Sequence, residues 1–184
     1  MSKLIATPGQ TVGPFYGYAL PFPKDSELVP PGQGGSIRVH GTVTDGRGQP
    51  IPDCLLEIWQ ADEHGVIAQR TGSLTRDGHT FTGWGRAAVD DDGHYTFTTV
   101  NPGVTEEGKA PFIAVVVFAR GLLNKLHTRV YLPENPERLA VDGLLSDLPA
   151  ERRGTLIAER EEDGSLLWNI RLQGENETVF LDFS

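Results

Sequence analysis

The fold is decided by residues 40–62, whose sequence is HGTVTDGRGQPIPDCLLEIWQAD. Apolar and polar residues alternate on both sides of the Asp45-Gly46 pair, and Trp59 closes the second half. Alternation with a period of two is typical of a half-buried strand, and Asp-Gly is a frequent turn pair. The stretch therefore predicts two strands joined by a turn.

Similar strand signals recur through the rest of the chain. The run Ile113–Phe118 is apolar at every position, which predicts a strand buried on both faces. The predicted strands are Ile37–Val43, Cys54–Gln60, Phe81–Ala88, His94–Thr99, Phe112–Ala119, Leu126–Leu132, Thr155–Arg160, Leu166–Leu172 and Thr178–Phe183. About nine short strands predict an all-β fold, a β-sandwich.

Two segments depart from this strand pattern. Residues 1–35 combine prolines and glycines with aromatic residues, which predicts an extended N-terminal arm packed on this domain or on a neighbour. Pro136–Asp147 predicts one short helical insertion, either continuous or in two short pieces, with Asn135 as its candidate N-cap. The predicted sandwich domain therefore covers residues 36–184.

Composition limits the classes of function. The chain has 184 residues, a formal net charge of −9 and one cysteine, Cys54. The negative charge argues against nucleic acid as a partner, and a lone cysteine in an apolar strand predicts a small buried side chain. No apolar run reaches the roughly 18–20 residues of a membrane span, and Met1–Ile5 lacks the apolar core of a signal peptide. We expect a cytoplasmic protein without a membrane partner.

The spacing of polar residues predicts no local metal site. The five histidines are not separated by the short intervals that form a metal cradle. Asp90-Asp91-Asp92-Gly93 begins like a calcium loop but lacks the later glutamate, so a hairpin turn is expected there.

Several motifs together resemble the intradiol ring-cleavage dioxygenases. They are Thr11-Val12-Gly13-Pro14-Phe15, the strand that ends in Trp59-Gln60-Ala61-Asp62, Tyr95-Thr96-Phe97-Thr98-Thr99, Phe118-Ala119-Arg120-Gly121-Leu122-Leu123 and Leu126-His127-Thr128-Arg129-Val130-Tyr131. Catalytic members of that family hold Fe(III) with two tyrosines and two histidines, and they open catechols between the two hydroxyls. The resemblance covers most of the chain and implies the same sandwich fold.

The positions that match the family's iron ligands carry other residues. The first tyrosine position is Ile67, and the second, after the Pro102-Gly103 turn, is Thr105. The two histidine positions are Phe112 and Ala114. Ile, Phe and Ala side chains offer neither the charge nor the lone pairs that hold ferric iron. We therefore expect no catalytic residue and no metal ligand in this chain, and no activity of the chain alone.

Within the family, the motifs resemble the α subunits of the two-subunit members. There a β subunit holds the Fe(III) and cleaves protocatechuate, an anionic catechol acid, with O2 to 3-carboxy-cis,cis-muconate, while α completes the active-site wall. The resemblance implies that this chain is such a non-catalytic α subunit of a hetero-oligomer. It also implies substrate-binding residues in this chain, which are Thr11, Gly13, Pro14, Tyr16 and Arg129.

Two alternatives stay open from the sequence. One is a free-standing β-sandwich binding or interaction module that kept the frame and lost the metal site. The other is a self-sufficient dioxygenase with its ligands elsewhere, which would have to draw on four tyrosines, of which only Tyr131 is well placed inside the sandwich. A neighbouring gene for a similar sandwich with two tyrosines and a His-x-His pair would favour the subunit interpretation.

Overall fold

The computed structural model describes residues 13, 15–70 and 76–183, and within them the chain forms nine strands in two sheets. The first sheet has the order β4-β1-β8-β7, and β9 also pairs with β1. The second sheet has the order β3-β2-β5-β6. The strands are β1 (Ser36–Thr44), β2 (Leu55–Gln60), β3 (Trp84–Ala88), β4 (His94–Val100), β5 (Phe112–Phe118), β6 (Leu126–Tyr131), β7 (Glu159–Arg160), β8 (Leu166–Leu167) and β9 (Ile170–Arg171).

One face of each sheet packs into a shared core, as the alternation predicts. Val39 of β1 and Phe97 of β4 are paired in register and buried, and they meet Ile58 and Val115 of the second sheet in one cluster. Gly41 allows β1 to pack closely, because a Cβ there would lie 1.9 Å from the carbonyl oxygen of Trp168. β1 pairs with β4 in the antiparallel direction and with β8 and β9 in the parallel direction.

Four short helices lie outside the two sheets in the described part of the chain. They are α1 (Tyr16–Ala19), α2 (Pro136–Val141), α3 (Gly143–Asp147) and α4 (Ala150–Arg153), and a 3-10 turn, Gly154–Leu156, follows α4. Leu145 of α3 and Leu156 form a second buried cluster with Tyr131 of β6. The helices after β6 therefore cover the outer face of the second sheet near Tyr131.

The β-sandwich and the buried Cys54, 1% exposed, confirm the sequence predictions. Leu166–Leu172 forms two short strands rather than one, and Thr178–Phe183 forms only a single bridge, between Leu181 and His127. The predicted strand Thr155–Arg160 is wrong at its start, where the chain makes the 3-10 turn. These segments have strand-like composition, but their packing into the two buried clusters sets their local geometry.

The N-cap of the helical insertion and the burial of the apolar strand also differ from prediction. The Asn135 side chain makes no capping hydrogen bond, and the insertion is two helices that meet at Asp142, the N-cap of α3. On β5, Val115 and its inner-face neighbours are buried, whereas Ala114 and the other outer-face residues are half-buried. The prediction of burial on both faces was wrong because a cavity opens against the outer face.

The predicted arm is in part structured. Tyr16–Ala19 makes one helical turn, and Leu28 and Val29 are buried at 4% and 6% exposure. A division of the chain at residue 35 stays a prediction. No helix in the described residues is long and apolar enough to cross a membrane.

Candidate functional site

A cavity of about 300 Å³ lies against the outer face of the second sheet. Alternation along β5 points Ala114 and Val116 to this face, and the register places Trp59 and Arg129 on either side of Ala114. Loop and C-terminal residues complete the wall, and they include Ile67, Gly103, Thr105, Pro111, Leu181 and Phe183.

All four positions that match the family's iron ligands line this one cavity. Ile67, Thr105, Phe112 and Ala114 come from a loop after β2, a loop after β4 and the start of β5. The four positions that the resemblance predicts to match iron ligands therefore lie together, and their side chains are three apolar groups and one hydroxyl.

Two tight loops bring Ile67 and Thr105 together. The Asp62 carboxylate accepts hydrogen bonds from the backbone N–H groups of His64 (2.9 Å) and Val66 (2.8 Å), which fixes the first loop. The Gly103 N–H donates to the Asp62 carbonyl at 2.7 Å, and a Cβ on Gly103 would lie 2.4 Å from the Gly65 nitrogen. Glycine at both positions allows this close approach, since Gly65 also has φ +80°.

The mouth of the cavity is apolar and open. Trp59, Ile67 and Phe183 are 53%, 48% and 74% exposed, and all three line the cavity. An exposed apolar patch around a concave site is typical of a binding surface. His127 packs edge-to-face against Phe183, with ring centroids 5.3 Å apart.

Arg129 supplies the fixed positive charge of the wall. Its guanidinium lies 4.2 Å from the centroid of the Phe112 ring, a cation–π contact. Among the described residues it forms no ion pair, and no Asp or Glu lines the cavity. Burial raises the pKa of Tyr131 to about 12, while a hydrogen bond from Arg129 acts in the opposite direction. The cavity is thus positive within a chain of net charge −9.

The tyrosines are not available as iron ligands at this cavity. All four lie in the described part of the chain, and none lines it. The hydroxyl of Tyr131 donates to Asp142 at 3.0 Å, and that of Tyr95 donates to the Trp168 carbonyl at 2.5 Å. The side chains present do not fit a ferric tyrosinate centre, which argues against a self-sufficient dioxygenase.

The structure describes three of the five predicted substrate-binding residues, and Tyr16 lies away from Arg129. Thr11 and Pro14 lie outside the described residues. Gly13 is exposed, and the Tyr16 hydroxyl donates to the Asp53 carbonyl and, at 3.4 Å, to the Phe118 carbonyl. Tyr16 contacts Phe118 at the end of β5, whereas Arg129 pairs with Ala114 near its beginning, so the two contact points are roughly 13 Å apart along the strand. Of the predicted residues that the structure describes, Gly13, Tyr16 and Arg129, only Arg129 lines the cavity.

Sequence reasoning missed a polar cluster on the first sheet. The His40 Nε2 lies 2.6 Å from a carboxylate oxygen of Glu161, and the His40 Nδ1 lies 3.4 Å from the His94 Nε2. His40 and Glu161 are far apart in the chain, so no local pattern predicts the pair. The two hydrogen bonds to Glu161, from Ser165 and His40, lower the pKa of that carboxyl.

The sequence matches the Dioxygenase family over residues 12–174, and the chain belongs to that family. It is 35% identical to the protocatechuate 3,4-dioxygenase alpha chain of Burkholderia cepacia, over 99% of this chain and 100% of the relative. It is 38% identical to the alpha chain of the same name from Pseudomonas putida, over 96% of each. The beta chain of the Burkholderia cepacia enzyme is 31% identical, over 90% of this chain and 78% of the relative.

A solved structure supports the fold assignment. The dioxygenase domain of a dioxygenase carbohydrate-binding protein fusion from Streptomyces sp. SirexAA-E superposes with a TM-score of 0.59 at 26% identity. The match covers 90% of this chain and 95% of that one. The frame described above is therefore that of an intradiol dioxygenase sandwich.

Proposed function

We propose that this chain is the non-catalytic α subunit of a protocatechuate 3,4-dioxygenase. In this proposal a homologous β subunit holds the Fe(III), and the α chain completes the wall of the β active site, where protocatechuate and O2 react. The observation that carries it is the convergence of Ile67, Thr105, Phe112 and Ala114 on one cavity, where none of these four side chains is a tyrosine or a histidine. The similarity to two alpha chains over nearly their whole length supports the same function.

The arm and Arg129 are the parts we assign to the partner's site. Thr11, Gly13 and Pro14 belong to the arm, and Tyr16 fixes its end to the sandwich through the carbonyls of Asp53 and Phe118. With its hydroxyl engaged in this way, Tyr16 positions the arm rather than binding substrate through that hydroxyl. Arg129 would supply a cation for the substrate carboxylate. A cytoplasmic location stays a prediction from the sequence.

A free-standing binding module is the second candidate. It is favoured by the open apolar mouth formed by Trp59, Ile67 and Phe183, which could receive a ligand without a β subunit. The two functions differ in whether the chain pairs with a β chain and whether activity depends on that pair.

Co-purification and metal analysis test the proposed function. The tagged chain is produced alone and together with its cognate β chain, and iron, visible absorption and protocatechuate-dependent O2 uptake are measured. We expect a colourless, inactive chain without stoichiometric iron, because three of the four ligand positions are apolar. The pair should carry about one iron per αβ unit and be active.

Two outcomes of the same experiment would contradict the proposed function. One equivalent of tightly held iron with a visible band in the isolated chain would show that the ligands lie elsewhere. Failure of the two chains to co-purify, with full activity of β alone, would favour the free-standing module.

A further inference from the structure

We propose that His40 and His94, on the outer face of the first sheet, form a binding site for Zn²⁺ or another divalent metal ion that prefers imidazole ligands. Val39 faces the core between the sheets, so the neighbouring His40 points away from it. The cavity described above lies against the outer face of the other sheet. The histidine site is therefore separate from that cavity, and it does not depend on a β subunit or on iron.

Strand pairing brings the two imidazole rings together. In the β1–β4 register His40 lies opposite Thr96. His94, two residues earlier on β4, is thus the diagonal neighbour of His40 on the same face of the sheet. The His40 Nδ1 lies 3.4 Å from the His94 Nε2. Two ligands at about 2.0–2.1 Å from one tetrahedral zinc ion are about 3.4 Å apart, so the two nitrogens already stand at the required separation.

A carboxylate lies behind each ring. The His40 Nε2 is 2.6 Å from a carboxylate oxygen of Glu161, and the His94 Nδ1 is 4.0 Å from one of Asp90. A metal-binding histidine commonly donates its other ring N–H to a carboxylate, which fixes the tautomer and raises the basicity of the coordinating nitrogen. With a proton on each outer nitrogen, the two inner nitrogens present lone pairs to each other. A cation between them removes that repulsion.

One half of the site is fixed and the other half is open to solvent. His40 is 8% exposed, and the Ser165 hydroxyl donates to the Glu161 carboxylate at 2.5 Å, which holds that carboxylate in place. The His94 side chain is 35% exposed, so an ion can reach it from water. No group of three or more metal-ligating side chains is found in the described residues. Water would complete the coordination, which makes the site exchangeable, unlike a closed structural zinc site.

Isothermal titration calorimetry with Zn²⁺ measures the site. The chain alone should bind one equivalent, and Mg²⁺ should not replace Zn²⁺, because Mg²⁺ prefers oxygen ligands and retains its water. Zinc affinity should fall as the pH is lowered, since the metal requires neutral imidazole and competes with protons. Where the chain is purified only with its β subunit, the equivalent is measured as the difference between the wild-type pair and a pair that carries His94→Gln.

Three variants locate the site. Glu161→Gln should weaken zinc binding about ten- to a hundred-fold, the range expected for loss of a carboxylate behind a ligand. His94→Gln removes a ligand itself and should weaken binding more than Glu161→Gln does. His64→Gln is the matched control and should leave binding unchanged, because the His64 ring is exposed in a loop, 3.5 Å from Glu63. Circular dichroism without metal checks that each variant is folded.

Two further measurements separate metal binding from a structural role of the histidines. X-ray absorption at the zinc edge should show two imidazole ligands in the wild type and fewer in His94→Gln. Zn²⁺ should raise the midpoint of thermal unfolding of the wild type and of His64→Gln but not of His94→Gln, since the ion binds the folded arrangement.

The proposal is overturned if Zn²⁺ does not bind, if Mg²⁺ competes with it equally, or if the bound zinc has fewer than two imidazole ligands in the wild type. Equal zinc binding by His94→Gln and His64→Gln would also overturn it, as would unchanged binding by folded Glu161→Gln. These readouts are separate from pairing and turnover. A chain that binds zinc but ignores β would refute only the proposed function, and a chain that pairs with β without binding zinc would remove only this site.

Discussion

At the residue scale, Arg129 is the side chain whose charge fits the anionic substrate named for the relatives. It lines the cavity, stacks on Phe112 and has no ion-pair partner among the described residues. A substrate carboxylate does not itself react in ring cleavage. Its contact with a fixed cation is therefore similar in the ground and transition states, and it contributes to binding rather than to the chemical step.

Replacing Arg129 in the αβ complex should raise the KM for protocatechuate. A charge-assisted contact of roughly 1.5–3 kcal/mol corresponds to about a ten- to hundred-fold increase, with kcat little changed. Steady-state O2 uptake by Arg129→Ala measures it, and Arg47→Ala is the matched loss of an exposed charge. Iron content and assembly should stay the same.

Catechol, which lacks the carboxylate, provides the internal control. The effect of Arg129→Ala should shrink for catechol. If Arg129→Ala reduced activity equally on both substrates, or reduced it on neither, Arg129 would not contact the substrate carboxylate in the β active site.

Individual residues show where sequence reasoning succeeds and fails. The resemblance placed Ile67, Thr105, Phe112 and Ala114 at matching positions, and all four meet in one cavity. It gave no sign that Phe183 would reach the same cavity, because the final segment was predicted as a strand. The separation of Tyr16 from Arg129 is set by packing between distant parts of the chain, which no local pattern records.

At the scale of elements, Asp142 joins the two helices of the insertion to the sheet. It is 2% exposed, and its carboxylate accepts hydrogen bonds from the Tyr131 hydroxyl (3.0 Å) and the Ala110 N–H (3.1 Å). It also accepts from the N–H groups of Leu144 and Leu145 at the start of α3. One buried carboxylate thus caps a helix and fixes it beside β6.

Asp142→Ala should lower the free energy of unfolding by about 2–4 kcal/mol, because it leaves several buried donors without an acceptor. Asp142→Asn should lower the free energy of unfolding by about half as much, since the asparagine N–H2 group replaces one of the two accepting oxygens. Urea unfolding measures both. Asp147→Ala, at the exposed end of α3, is the control, and it should change the free energy of unfolding by no more than about 0.5 kcal/mol. Equal effects of Asp142→Ala and Asp147→Ala would refute the capping role.

The strands were predicted correctly where the alternation of apolar and polar residues was clear. β1, β2, β4, β5 and β6 match their predicted spans to within a residue at each end. The prediction failed for the segments that pack on helices or on the cavity, such as Thr178–Phe183, since there tertiary contacts outweigh the local pattern. Two short helical pieces were one alternative from the sequence, but no local pattern marked Asp142 as the cap of the second one.

At the scale of the whole molecule, the exposed aromatic surface lies in two places. One is the cavity mouth around Trp59, and the other is the end of the arm, where Phe15 and Tyr18 are 74% and 86% exposed. They lie toward opposite ends of β5. Apolar surface of this kind is commonly covered by a partner.

We expect the chain to aggregate when produced alone and to become soluble when its β subunit is present, because pairing would cover the arm. Light scattering of the purified chain, with and without β, measures this. Phe15→Ser combined with Tyr18→Ser should reduce aggregation of the isolated chain and also weaken pairing, since the same side chains cause both. Val141→Ser, at a position 62% exposed on α2, removes comparable apolar surface elsewhere and should change neither. A monodisperse wild-type chain that ignores β would contradict the subunit proposal and leave the free-standing module as the better account of the exposed surface.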